Sequence, residues 1–178
     1  CTSPDVARRL ASMKTAAPDF TILADDAYAV HHLYDSRPAP HDFLGAAKAA
    51  GNPNRVILFG STAKITYAGA GVSFLAGAPS MVKWLGDLMS TQMITANKVE
   101  QWRHVCFLSR YPGGIAGIMK DHAALLAPKF RAVQDVLERE LGGRSLARWT
   151  KPEGGYFVSL DTEKPVASKV VALAKDAG

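Results

Sequence analysis

The chain has 178 residues, enough for one ordinary domain or one domain and part of another. Apolar residues at 48% and charged residues at 21% describe a globular protein and exclude disordered and collagen-like classes. The net charge of +5 comes from scattered Lys and Arg with no run longer than Arg8-Arg9, which is not the clustered stripe of a nucleic-acid binder and suits a small anionic ligand equally well.

Ser3-Pro4-Asp5 opens a helix with a capping hydroxyl, a proline at the first helical position and an acid in the first turn, and this helix is expected to run to about Ala16. Phe20 to Ala24 is a short apolar run of strand type that ends in Asp25-Asp26. A loop with Pro38 and Pro40 leads to a helix near Asp42 to Ala50. Gly51-Asn52-Pro53-Asn54 then turns the chain into a second buried strand, Arg55 to Phe59. Val72 to Ala76 reads as a third strand. Alternating helices and uninterrupted apolar strands predict a parallel α/β sheet. From Ile115 to Leu141 one long helical pattern runs, with a kink expected at Pro128, and stops at Gly142-Gly143. A hairpin-like pair, Leu146 to Thr150 and Tyr156 to Leu160, and a final helix from Pro165 to Ala177 complete the reading.

Cys1 and Cys106 make neither a disulfide framework nor a zinc site and point to a reducing compartment, and the five histidines lack metal-ligand spacing. His31 and His32 are chain neighbours, whose side chains point apart. The longest uncharged run, Ile65 to Val82, is broken by Gly69, Gly71, Gly77 and Pro79, which is turn chemistry and not a membrane span. No basic start followed by an apolar core marks a secretory signal, so the expectation is a cytoplasmic protein with neither a membrane nor a nucleic-acid partner.

Lys64 is the position where chemistry is expected. It follows the second strand by a few residues in Gly60-Ser61-Thr62-Ala63-Lys64-Ile65-Thr66-Tyr67, and ligands of open α/β sheets bind beyond the carboxyl ends of strands. A lysine among Ile57, Phe59 and Ile65 is partly desolvated, which favours the neutral amine that imine chemistry needs, although a snorkelling surface lysine has the same surroundings. Asp25 ends the first strand and opens onto the same edge, with Tyr28 one turn on. An acid for a pyridinium nitrogen, a phenol for a ring oxygen and an imine-forming amine meet the needs of pyridoxal phosphate. The competing reading makes Asp25 or Asp26 a turn cap and Tyr28 a half-buried aromatic. Ser61 and Thr62 suit a phosphate or a simple turn.

Two other motifs bear on the same segment. Ser61-x-x-Lys64 is the Ser-Lys pattern of penicillin-recognising acylases, but the Ser-x-Asn and Lys-Thr-Gly elements are absent downstream. Gly69-Ala70-Gly71 starts a dinucleotide fingerprint that Phe74 breaks.

With these residues assembled, the sequence resembles the fold-type I pyridoxal-phosphate aminotransferases, most nearly a bacterial aspartate aminotransferase subgroup. The segments that carry the likeness are Ala24 to Leu33, Phe59 to Val72 and Lys151 to Phe157. The resemblance implies pyridoxal 5'-phosphate as cofactor, with Lys64 as both its covalent anchor and the proton shuttle, Asp25 on the pyridine nitrogen, Tyr28 on the ring oxygen and Ser61 on the phosphate. It implies part of a mainly parallel-sheet, three-layer large domain over residues 1–114, then the interdomain helix and the start of a smaller α+β domain over 115–178. It further implies transfer of an amino group between an amino acid, aspartate in this subgroup, and a 2-oxo acid, in a homodimer. Relatives place an arginine about eight residues after the lysine for the phosphate; Val72 stands there, leaving Ser61, groups outside the chain, or Lys83. The family's length makes the chain an internal piece. The alternatives are a cofactor-binding effector domain of a transcription regulator, which does no catalysis, and another pyridoxal-phosphate enzyme such as a lyase or decarboxylase.

Overall fold

A computed structural model of the chain describes residues 2–35 and 41–178; Pro38 and Pro40 of the expected loop lie outside them. Helix α1, Pro4–Ser12, starts where the cap predicts: the Ser3 hydroxyl oxygen accepts the Val6 N–H at 3.3 Å, with Pro4 at the first turn. It ends a turn earlier than the sequence suggests. The Arg55 guanidinium donates from Nη1 to the carbonyls of Ala11 and Met13, both at 2.8 Å, and the Asn52 amide donates to Ala11 at 3.0 Å. These donors satisfy the end carbonyls of α1 in place of a further helical turn.

Strand β1 (Ile22–Asp25) pairs in parallel with β2 (Val56–Ser61), in the register Ile22 with Val56 through Asp25 with Phe59. The Asp42 carboxylate, accepting the Gly45 N–H at 2.7 Å, caps the connecting helix α2, Phe43–Ala49. Strand β3 (Ser73–Ala76) runs antiparallel to β2, so the expectation of a parallel sheet holds for β1 and β2 and is corrected at β3. The reason is the connection. The segment between β2 and β3 has no helix to carry the chain back across the sheet, as a parallel return requires. Gly60 lies opposite Phe74, whose ring occupies the space a Cβ would take.

Helices α1 and α2 pack together against the sheet through Ala7, Ala11, Ala24, Phe43, Ala47 and Val56. The alanines admit close approach and Phe43 fills the remaining volume. A second cluster joins Ile65, from the β2–β3 connection, to Ile118 and Met119, with Val30, Phe107, Leu108 and Tyr111 packed around it.

Two helices not anticipated from the sequence follow: α3 (Pro79–Gln92), which has no buried residue, and α4 (Lys98–Arg110), capped by the Asn97 side chain on Val99 and Glu100. Helix α5, Gly114–Leu141, is continuous through Pro128 as the periodicity indicates. Strands β4 (Ala147–Trp149) and β5 (Leu160–Thr162) pair antiparallel, and α6 spans Ala167–Ala177. The hairpin's second strand thus lies further along than Tyr156 to Leu160. Residues 153–155 are engaged elsewhere: the Leu33 N–H donates to the Glu153 carbonyl and the Gly155 N–H to the His31 carbonyl, both at 2.9 Å. The fold is mixed α/β. Among the described residues no helix is long and apolar enough to cross a membrane.

Candidate active site

Because β1 and β2 are parallel, their carboxyl ends share one edge of the sheet, with Asp25 as the last residue of β1 and Ser61 as the last of β2. The antiparallel β3 begins at the same edge, with Ser73 opposite Ser61.

The adjacent acids Asp25 and Asp26 take different environments. Asp26 is half-buried and pairs with the His41 ring at 3.2 Å. Asp25 is exposed; its Oδ1 accepts the Ala27 N–H at 3.2 Å, an Asx turn that presents the carboxylate at the strand end. Among the described residues neither Asp25 nor Lys64 enters an ion pair.

Lys64 lies on the connection from β2 to β3 with its side chain exposed, so the desolvated surroundings expected from Ile57, Phe59 and Ile65 are not found there. Ile57 of β2 and Ile65 of the connection are themselves buried. The backbone around Lys64 is tightly held at two places. At the stem, Thr62 and Val72 pair: the Thr62 N–H donates to the Val72 carbonyl, and the Val72 N–H donates to the Thr62 hydroxyl, both at 2.9 Å. Val72, which stands where an arginine was expected, thus closes the loop through its backbone. Gly71 is required here, since a Cβ on it would stand 2.9 Å from Ala63 Cα.

His104 of α4 braces the stem. Its Nδ1–H donates to the Glu100 carbonyl at 2.8 Å, so Nε2 is the acceptor and takes the Thr62 hydroxyl proton at 2.8 Å. The Thr66 hydroxyl, 2.9 Å from the same nitrogen, donates at 3.1 Å to the Thr62 carbonyl. At the crest, the Lys64 carbonyl accepts two bonds, from His31 Nε2–H at 2.9 Å and from the Tyr156 hydroxyl at 3.2 Å.

Tyr28 stands against both of these donors, its ring 5.3 Å from His31 and 5.2 Å from Tyr156, in edge-to-face contacts. Burial holds the His31 imidazole below its ordinary pKa, more than its bond to Lys64 can offset. Burial also pushes the Tyr156 phenol up, with the nearby Tyr28 adding to it.

Ser61 accepts the Ala63 N–H at 3.1 Å and faces the Ser73 hydroxyl at 3.4 Å. It ends a strand and opens no helix, which removes the structural context of the Ser-Lys acylase pattern. Lys83 is on exposed α3 and engages Asp87 one turn on at 2.7 Å. Asp25 and Ser61 therefore end parallel strands on one edge of the sheet, Lys64 follows on the connection beyond it, Tyr28 contacts the two donors of the Lys64 carbonyl, and Lys83 pairs with Asp87 within its own helix. His31, His104 and Tyr156 were not anticipated; their partners lie 33 to 92 residues away, beyond any local spacing.

The sequence model of the family described as aspartate amino-transferase matches residues 1–178. An aspartate aminotransferase of Corynebacterium glutamicum is 49% identical over 177 residues, 98% of this chain and 40% of the relative. The crystal structure of an aspartate transaminase from the same species superposes with a TM-score of 0.86 at 48% identity, over 98% of this chain and 41% of that one. An alpha-aminoadipate aminotransferase of Thermus thermophilus, at 24% identity and TM-score 0.68, shares the fold over 93% of this chain and 40% of its own. The chain thus spans about two fifths of the length of the relatives it matches.

Proposed function

The chain belongs to the aspartate aminotransferase family, and on that premise we propose that its protein moves an amino group between an amino acid and a 2-oxo acid with pyridoxal 5'-phosphate as carrier. What supports this reading is the parallel pairing of β1 and β2, which puts the exposed Asp25 carboxylate at the carboxyl end of β1 and the connection bearing the exposed Lys64 just beyond the same end of β2. That donor set fits the cofactor, with an amine for its aldehyde, an anion for its ring nitrogen, the phenol of Tyr28 for its ring oxygen and the hydroxyl of Ser61 for its phosphate. When bound, pyridoxal phosphate supplies an aldehyde that takes up the amino group and a ring that accepts electrons from the substrate's α-carbon.

The chain's own residues do the remaining work. Lys64 Nζ would hold the cofactor covalently and, as a free amine, would serve as the base and acid that moves a proton from the substrate's α-carbon. Asp25 would face the ring nitrogen and favour its protonated form through the carboxylate charge. Tyr28 orients the ring by its hydroxyl, and Ser61 donates to the phosphate from the end of β2. Val72 offers no cation, so the phosphate's charge is met by groups outside this chain.

Aspartate is the proposed amino donor, supported by the name of the relative that is 49% identical. The described sheet is read as part of a three-layer large domain over 1–114, with the interdomain helix and the start of a small domain over 115–178. A cytoplasmic homodimer working on amino-acid and 2-oxo-acid substrates completes the proposal.

The test is borohydride reduction of the protein with pyridoxal phosphate, followed by peptide mapping. A pyridoxyl group on Lys64 is expected, lost in Lys64→Ala and kept at weakened cofactor affinity in Ser61→Ala. A label elsewhere, or one that survives Lys64→Ala, overturns the assignment.

A further inference from the structure

Lys64 differs from the other lysines of the chain in how its backbone is fixed. Its carbonyl accepts two side-chain donors, one from 33 residues before it and one from 92 residues after it. The two donors are themselves locked together. The rings of His31 and Tyr156 lie 5.1 Å apart at 88°, and both rest on Tyr28. The His31 backbone is tied at both ends, its N–H donating to Tyr28 at 3.0 Å and its carbonyl accepting Gly155 at 2.9 Å. The His31 proton is assigned by its partner: a carbonyl only accepts, so Nε2 carries the hydrogen, and Nδ1 is buried without a partner.

We propose that His31 and Tyr156 are positioning residues for the Lys64 amine, acting through the Lys64 carbonyl. The reasoning rests on the reading of Lys64 as the cofactor's anchor. Two donors in different directions fix the peptide plane after Lys64, and with it the direction in which Cα projects Cβ. The stem of the loop is clamped independently by Thr62 and Val72. Without the two donors the loop keeps its stem, the Ile65 and Thr66 N–H bonds to the Thr62 carbonyl and the buried Ile65, while the Lys64 carbonyl is released and the peptide plane beside it gains freedom to rock. A lysine side chain has four rotatable bonds, so small rotation at its root is amplified at Nζ.

The experiment uses the full-length protein loaded with pyridoxal phosphate. Tyr156→Phe keeps the ring and removes only the hydroxyl. His31→Phe removes the other donor, and His31→Gln replaces it with an amide N–H of similar reach. Two quantities are read besides activity: the circular dichroism of the bound cofactor, which reports its tilt, and the rate at which it is lost to a scavenging apoenzyme. Each donor removed is expected to change the dichroism and speed release about fivefold, the weight of one ordinary hydrogen bond. His31→Gln is expected to return both to wild-type values, which a merely structural role would not require.

Wild-type dichroism and release in both Tyr156→Phe and His31→Phe would overturn the proposal while leaving the anchor intact. If His31→Phe fails to fold, Tyr156→Phe alone decides. Absence of a borohydride-trapped label on wild-type Lys64 would overturn the anchor, and the positioning role with it.

Discussion

Gly154→Ala attacks the contact that holds His31 in place. A Cβ on Gly154 would stand 2.5 Å from the His31 carbonyl oxygen and 3.3 Å from its carbon, both backbone atoms that cannot rotate away. To reach ordinary van der Waals distance the two segments must part by roughly 1 Å. That separation stretches the Gly155 to His31 and Leu33 to Glu153 bonds, now both 2.9 Å, beyond useful length. Two such bonds contribute about 1 kcal/mol each, and the residual overpacking adds roughly 1 kcal/mol or more, so the local loss is about 2 to 4 kcal/mol. Hydrogen exchange read by mass spectrometry on peptides covering residues 28–34 and 150–158 measures this opening directly. At 1.4 kcal/mol per factor of ten, protection is expected to fall between about 30-fold and about 700-fold. Gly86→Ala is the internal control. It lies within α3 with nothing inside 4 Å of the added Cβ, and is expected to stabilise by about 0.5 to 1 kcal/mol while leaving those peptides unchanged. Unaltered exchange in Gly154→Ala would refute the claim that this backbone contact secures His31.

Three further outcomes are expected. Thr62→Val leaves the Val72 N–H and His104 Nε2 without their shared hydroxyl and is expected to destabilise by about 1 to 3 kcal/mol in chemical denaturation, with faster cofactor release. Arg55→Met leaves the Met13 carbonyl without a donor and the Ala11 carbonyl with Asn52 alone, and is expected to cost about 1 to 2 kcal/mol, with faster hydrogen exchange confined to α1 and the turn before β2. His31 is held below its ordinary pKa of 6.5, so the unfolded chain binds this proton first and stability falls as pH drops below 6.5, until the folded-state value is reached. The slope from this one site is at most about 1.4 kcal/mol per pH unit, and denaturation midpoints of His31→Gln between pH 7 and 5 should lack that component.

Local chemistry made several elements legible. Ser3-Pro4 and Asp42 announce the starts of α1 and α2 because a cap bonds within three residues of itself. The period of α5 is readable because its signal repeats over 28 residues. The positions of Asp25 and Ser61 at strand ends, and of Lys64 just past one, were legible because strand ends are visible in the pattern and parallel strands bring those ends to one edge. What stayed hidden depends on partners far along the chain. The early stop of α1 is decided by Arg55, more than 40 residues away. The displaced second strand of the hairpin follows from the engagement of residues 153–155 with residues 31–33. His31 looked like half of an adjacent pair with no shared target. That inference about direction was sound, since His31 is buried on Lys64 while His32 is only half-buried, but the target itself was out of local reach. Helix α3 buries nothing, so its amphipathic signal has no counterpart within the chain.

The bond from Tyr156 to Lys64 spans 92 residues, which has a consequence for biosynthesis. Closing a loop of that length carries an entropy penalty that must be met by contacts formed earlier, here the pairing of β1 with β2 and the clamp at Thr62. On the ribosome the lysine loop emerges complete with its stem, and α4 reaches it with His104 some 40 residues later. Its crest is secured only after residue 156 has left the exit tunnel. At an elongation rate of roughly 5 to 20 residues per second, the half-fastened loop persists for several seconds in every nascent molecule.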